Sequence, residues 1–495
     1  MGVMKSSKDT AEVPWLERRH VRMVREFTPS WFTACMGTGA CALVWANTPY
    51  HFPGQLEIGM AVWCLNVTVF CFFSLLFLGR LLFFRDTIAP LMRHKSEPLF
   101  LGAIPMAFAV ICNGFVAFFA RYLHPEAALR AACALWYLNL PMTLGTSVAL
   151  PFFIISRHKN TPESMTALWL LPIIPANVAA GSAGVLAAAH AAALGATDPA
   201  LTSLVRSVIL LGSTLLSYGL LMSLSITTLY WNRLMTHNLP PSTQLVSSFL
   251  PVGAISMCAF SAVNLGSAAL IKFPGPDAQL LADFGAMLHG LGITMALVLW
   301  SYAVWWLVIA AASLVDNLRV LSFNLGWWGS VFPTGTMAVL TARLGVLLQI
   351  EGLKVGSVII AAVHLALWVG VASMTARKAW KGELFYAPCL HEIKQQAAAA
   401  AAAAAEAGGT GAATGHAASR IRSELLCGDP GLSTLHGDGY LEGILGGTAA
   451  AAPPAGPRVQ GSPTIGSGGG GGAGGDLGPG GEGGGALPGG PEDAA

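Results

Sequence analysis

Ten stretches of this chain are apolar for long enough to cross a lipid bilayer, and that recurrence constrains the fold more than any single motif. A helix needs about 20 apolar residues to span the hydrocarbon core. The candidates cover residues 28–47, 58–84, 98–120, 128–155, 166–190, 203–230, 244–270, 281–314, 325–349 and 355–376. Hydrophobic residues make up 54% of the sequence and charged residues 11%, against about 25% charged in a soluble domain. The chain reads as an all-α, polytopic membrane protein rather than a soluble enzyme. A net charge of +2 gives no footing for a nucleic-acid partner.

Lys and Arg set the orientation, because they accumulate in cytoplasmic loops. With the N-terminus inside, the inner flanks up to residue 394 hold 18 Lys/Arg. The outer flanks hold five: Arg121, Arg130, Arg206, Lys272 and Lys354. Both termini are therefore expected in the cytoplasm. Residues 1–26 are charged, lack the apolar stretch of a secretory leader, and form a cytoplasmic N-terminal segment. Residues 27–380 form the ten-span membrane domain. Residues 381–495 form a cytoplasmic tail whose Ala, Gly and Pro content leaves it mostly disordered. Arg420 stands three residues before Ser423, a pattern that a kinase could read, although the bland reading is a solvated linker. The nine cysteines show no C-x-x-C spacing, and most read as small packed side chains. No cofactor or metal is called for.

The odd-numbered spans repeat one feature. Each carries a proline near one end: Pro29, Pro105, Pro175, Pro251 and Pro333, at intervals of 76, 70, 76 and 82 residues. Such a period implies repeated supersecondary units, here one helical hairpin each. Proline removes a backbone N–H, and freed backbone groups survive at membrane depth only inside protein or beside water. The prolines are therefore expected to bend five inner helices, which enclose a central pore in a quasi-fivefold arrangement. The greasier even spans face lipid. Glycines Gly37, Gly39, Gly114, Gly181 and Gly184 on the odd spans permit close helix approach.

The same spans carry Thr38, Asn113, Asn177, Ser256, Asn264, Thr334 and Thr336 as candidate pore-lining, anion-contacting residues. Each single residue also reads as helix–helix glue. Acidic residues are nearly absent from these spans, so no cation filter is indicated. Hydroxyls, amides and helix N-termini favour a weakly held anion. Arg343 either adds positive charge at one mouth or snorkels to the interface. His190, His289 and His364 read as hydrogen-bonded structural histidines, with a proton relay as the alternative. An intramembrane enzyme or scaffold is the other-class alternative. It would need converging catalytic groups, and the spans offer none.

Several segments resemble a known family. Phe27-Thr-Pro-Ser-Trp-Phe-Thr-Ala-Cys-Met-Gly-Thr-Gly39 resembles the opening helix of the tellurite-resistance/dicarboxylate transporter family, which includes the guard-cell slow anion channels. Four further segments resemble its fungal sulfite-efflux and malate-permease branch. They are Asn47-Thr-Pro-Tyr50, Pro98-Leu-Phe-Leu-Gly-Ala-Ile-Pro-Met-Ala-Phe108, Leu170-Leu-Pro-Ile-Ile-Pro175 and Trp327-Trp-Gly-Ser-Val-Phe-Pro-Thr-Gly-Thr336. The resemblance covers about residues 25–380 and excludes the tail.

It implies ten transmembrane helices in five hairpins around a pore, assembled as a homotrimer. It also implies a pore gate on the ninth helix, which by motif position is Phe332. The implied cargo is sulfite or bisulfite leaving through the plasma membrane. Malate and related C4-dicarboxylates are the first alternative, and a chloride or nitrate channel the second. A dicarboxylate site would want paired cations, and the odd spans offer only Arg343. Nothing in the sequence matches a phosphate-binding G-x-x-x-x-G-K-[ST] loop, so no nucleotide drives the transport.

Overall fold

Apolar runs of this length satisfy their own backbone only as helices, and the computed structural model is helical throughout its regular elements. The structure describes residues 19–193, 199–270 and 278–406. All belong to the first of two compact units into which the chain divides, Met1–Gly437. The long helices are α1 (Phe32–Asn47), α2 (Gln55–Phe83), α3 (Ala103–Gly114), α4 (Pro125–Leu144), α5 (Ile174–Ala193), α6 (Pro199–His237), α7 (Leu250–Ala268), α8 (Ala278–Asn317), α9 (Trp328–Leu347), α10 (Glu351–Lys381) and α11 (Pro388–Glu406). Helix α4 continues through a π turn, Gly145–Ala149, into Leu150–Arg157. The ladder re-forms there just after Pro141 removes a hydrogen bond.

Among the described residues, eight helical segments are long and apolar enough to cross a membrane. They include α2, α4, α6, α8 and α10, and the segments built on α3, α7 and α9. Helices α1 and α5 are not among the eight: α1 runs only 16 residues, and glycine, alanine and polar residues dilute α5.

Burial separates two classes. Of the most apolar stretch in each segment, 67% is buried around α3, 94% around α7 and 83% around α9. The corresponding shares are 11% in α2, 22% in α4, 28% in α6, 28% in α8 and 22% in α10. Nearly every residue of α1 is buried too. The second class exposes large apolar side chains, among them Leu75, Phe83, Phe152, Leu221, Val308 and Ile359. An apolar surface this extensive needs lipid rather than water.

The buried helices touch in order: α1 packs on α3, α3 on α5, α5 on α7, α7 on α9, and α9 closes on α1. Each exposed helix packs on the buried helix that precedes it. Where α5 meets α7, Gly184 is required. A Cβ there would lie 2.7 Å from the Asn264 Cβ and 2.8 Å from its carbonyl carbon. Backbone cannot move aside as a side chain can, so Gly184→Ala is expected to cost about 3 kcal/mol, the upper end for overpacking. A lowered thermal unfolding midpoint of the detergent-purified protein checks this; an unchanged midpoint refutes it.

The prolines do something other than bend helix middles. Each buried helix is entered from a 3-10 turn: Pro29–Trp31, Glu97–Gly102, Ala167–Leu170, Leu245–Phe249 and Leu325–Trp327. Pro105, Pro175 and Pro251 fall in the first turn of α3, α5 and α7, and Pro29 opens the turn before α1. A proline in a first turn gives up no intrahelical hydrogen bond. These four mark where the buried helices begin. Only Pro333 lies inside its helix. The five 3-10 turns also touch in a closed ring, so all five buried helices start at one end of the bundle and run parallel.

At that end α11 packs on the short helix Ile88–Arg93. His94 pairs with Glu392 at 3.2 Å and His391 with Glu26 at 3.6 Å. The alanine run expected to be unstructured is helical through Glu406, because alanine is the strongest helix former. Lys272, Ser423 and the Gly/Pro-rich segment lie outside the described residues.

Candidate functional site: an axial cavity behind Phe332

A cavity of about 210 Å³ lies among the five buried helices, and all five contribute to its wall. Each does so through one helical stripe. Helix α9 presents Phe332, Gly335, Thr336 and Val339, spaced i, i+3, i+4 and i+7, which is one face of a helix. Helix α1 presents Ala40, Leu43 and Asn47, and the α3 segment presents Val110, Asn113 and Ala117. Helix α5 adds Val178 and Val185, and α7 adds Met257 and Phe260.

Phe332 and Val178 sit nearest the start of their helices, so they form the end of the cavity that faces the 3-10 ring. Asn47 and Leu56 lie at the opposite end, where α1 gives way to α2. No lining residue is ionisable. The side-chain polarity comes from Asn47, Asn113 and Thr336, in a wall that is otherwise apolar. Such a wall holds an ion through dipoles rather than through a charged clamp, which suits passage better than retention.

Phe332, Asn113 and Thr336 share this cavity. The Thr336 hydroxyl also donates to the Pro333 carbonyl at 2.9 Å. The other candidates lie off the stripe and bond elsewhere. Trp368 of α10 donates its indole N–H to Thr38 Oγ1 at 3.2 Å. The Asn177 amide donates to Ser223 Oγ of α6 at 2.9 Å. Ser256 Oγ sits 3.4 Å from Met337 Sδ. The Asn264 amide folds back on the Phe260 carbonyl at 2.7 Å. The Thr334 hydroxyl donates to the Ser330 and Val331 carbonyls at 3.0 and 2.9 Å and lies 3.2 Å from His364 Nδ1. These five groups join helices or close their own turns. Half-buried Arg343 is not part of the wall.

Most of the wall is apolar and carried no sequence signal of its own, because Val110, Val178, Met257 and Val339 each read as ordinary packing. The stripe is the signal that finds them. Counting i, i+3 and i+7 from Phe332 recovers the α9 wall.

A profile of the Voltage-dependent anion channel family matches residues 26–376. A sulfite efflux pump of Arthroderma otae is 31% identical over 362 residues, covering 73% of this chain and 93% of that protein. A malic acid transport protein of Schizosaccharomyces pombe is 23% identical over 369 residues, covering 73% and 81%. A sulfite efflux pump of Saccharomyces cerevisiae is 22% identical over 368 residues, covering 64% and 79%. A family match over most of the membrane-embedded chain, together with a relative above 30% identity along nearly its whole length, shows that this multi-pass membrane protein belongs to the Voltage-dependent anion channel family of small-anion transporters and channels.

Proposed function

We propose that this chain carries sulfite or bisulfite out of the cytoplasm through a pore formed by ten membrane-crossing helices. The helices are arranged as five hairpins, with α1, α3, α5, α7 and α9 around the axis and Phe332 as the plug. The observation that carries this reading is the single cavity walled by all five buried helices, with the Phe332 ring at one end. The sulfite-efflux relatives supply the cargo.

In this reading residues 27–380 are the transport domain, and both termini face the cytoplasm, following the Lys/Arg bias. The ring of 3-10 turns then lies at the cytoplasmic mouth. Five parallel helices point their N-terminal ends there, and each end carries a partial positive charge of roughly half an elementary charge. A cytoplasmic anion is drawn to that mouth without a fixed cation that would trap it. In the plasma membrane an inside-negative potential drives the anion outward with about 2.3 kcal/mol per charge per 100 mV. Phe332 interrupts the path with an apolar constriction, and such constrictions stop ions by excluding water.

Flux from liposomes holding the purified protein tests the cargo. At a set potential, sulfite is expected to leave faster than malate, nitrate or chloride. A wall without paired cations has nothing to grip the second carboxylate of malate. Malate flux with no sulfite flux would overturn the assignment in favour of the malic-acid-transport relative.

A further inference from the structure

His364 of α10 lies outside the cavity wall yet touches the turn that carries Phe332. Its side chain is fully buried. Nδ1 lies 3.0 Å from the Val331 carbonyl oxygen and 3.2 Å from the Thr334 hydroxyl. That hydroxyl already donates to two backbone carbonyls. Nδ1 therefore carries the hydrogen and donates it to Val331. The imidazole reaches this position because Gly335 has no side chain. A Cβ on Gly335 would meet His364 Cε1 at 2.8 Å and the Ala40 Cβ at 3.0 Å. Gly335 and Ala40 both wall the cavity, so the ring fills the seam between α9 and α1 directly behind the wall.

The turn it touches is the one that α9 holds least firmly. Pro333 has no N–H for the Gly329 carbonyl, so the turn around Phe332 leans more on side-chain bonds. Thr334 supplies one from within α9, and His364 supplies one from α10.

We propose that His364 is the positioning residue of the plug: by donating to Val331 it fixes the turn Val331–Phe332–Pro333 and keeps the Phe332 ring across the pore. The proposal rests on the reading of Phe332 as the plug. The Thr334 hydroxyl donates within its own helix, whereas His364 ties that turn to α10.

Sulfite flux from liposomes, normalised to inserted protein, tests this with His364→Ala, His364→Asn, His364→Gln, Phe332→Ala and the double variant Phe332→Ala/His364→Ala. An asparagine amide nitrogen occupies the place of imidazole Nδ1, whereas that of glutamine occupies the place of Nε2. His364→Asn should therefore stay near the wild-type rate. His364→Ala and His364→Gln should raise it about fivefold, the worth of one buried hydrogen bond. His364→Ala should add nothing once Phe332 is gone.

The inference is overturned if Phe332→Ala raises flux while His364→Ala and His364→Gln leave it unchanged. It is also overturned if His364→Ala multiplies flux by the same factor with and without Phe332. A Phe332→Ala protein with wild-type flux removes the plug reading itself, and this proposal with it. Where His364→Ala does not fold, the Asn/Gln pair decides alone, since both keep a polar side chain in the seam.

Discussion

Phe332→Ala is expected to raise sulfite flux by about tenfold or more, because each 1.4 kcal/mol removed from a barrier multiplies a rate tenfold. The Phe332 ring is 2% exposed and stands at one end of a cavity walled by five helices. In the plug reading, an apolar ring on the axis forces an anion to shed water with no dipole in exchange, and the constriction dewets. The substitution also carries a stability cost, which for a buried phenylalanine reaches about 3–5 kcal/mol. That cost is smaller here, since one side of the ring already faces the cavity and loses few contacts. Phe332→Leu, shorter but still apolar, should give an intermediate flux. Efflux of sulfite from liposomes at a fixed inside-negative potential, corrected for inserted protein, reads the effect. Equal flux from wild type and Phe332→Ala at equal insertion would refute the gate.

Sequence and structure agree best where the physics is periodic and local. Spans of about 20 apolar residues are legible because nothing else that long and greasy can satisfy its backbone in lipid. The division into buried and exposed helices was also legible, through glycine and small polar residues on the odd spans. The prolines were legible as a repeat but not as a mechanism. A proline at the second or third position of a helix and one at the sixth look alike in sequence, and only the 3-10 turns ahead of them tell starts from kinks.

The candidate site was legible in part, for a related reason. Thr334 and Thr336 stand two residues apart, about 200° around α9. One faces the cavity and the other faces His364, a distinction no composition argument can draw. Asn177 and Val178 differ by one residue, and the valine lines the cavity while the asparagine holds α6. Polarity therefore misleads in this bundle. A buried hydroxyl or amide must find a partner, and a neighbouring helix is a nearer one than a passing ion.

The largest expected loss of stability comes from a residue at the other end of α2. Arg80 is fully buried although it sits where the chain leaves the bilayer. Its Nε donates to Thr87 Oγ1 at 3.0 Å, its Nη1 donates to the Phe27 carbonyl, and its Nη2 lies 3.7 Å from Cys389 Sγ. Burial pushes the Cys389 thiol up to about 11, so it meets the guanidinium as a neutral thiol. Glu97 is buried as well, and Arg80 is the opposite charge that acts on it.

One guanidinium therefore ties the loop after α2, the chain just ahead of the first 3-10 turn, and the start of α11. Phe27 in turn stacks on Trp31 with ring centroids 5.9 Å apart, and Trp31 belongs to the ring of turns at the proposed cytoplasmic mouth. Arg80→Met keeps the length of the stem but takes the guanidinium from the Phe27 carbonyl and the Thr87 hydroxyl. Losing bonds from a charged donor and stranding a buried carbonyl costs about 1–3 kcal/mol each, so the thermal unfolding midpoint should fall by several degrees. Arg80→Lys should fall less, since it keeps the charge but cannot fork to three partners. A wild-type midpoint for Arg80→Met would show that the guanidinium is not what holds these segments together.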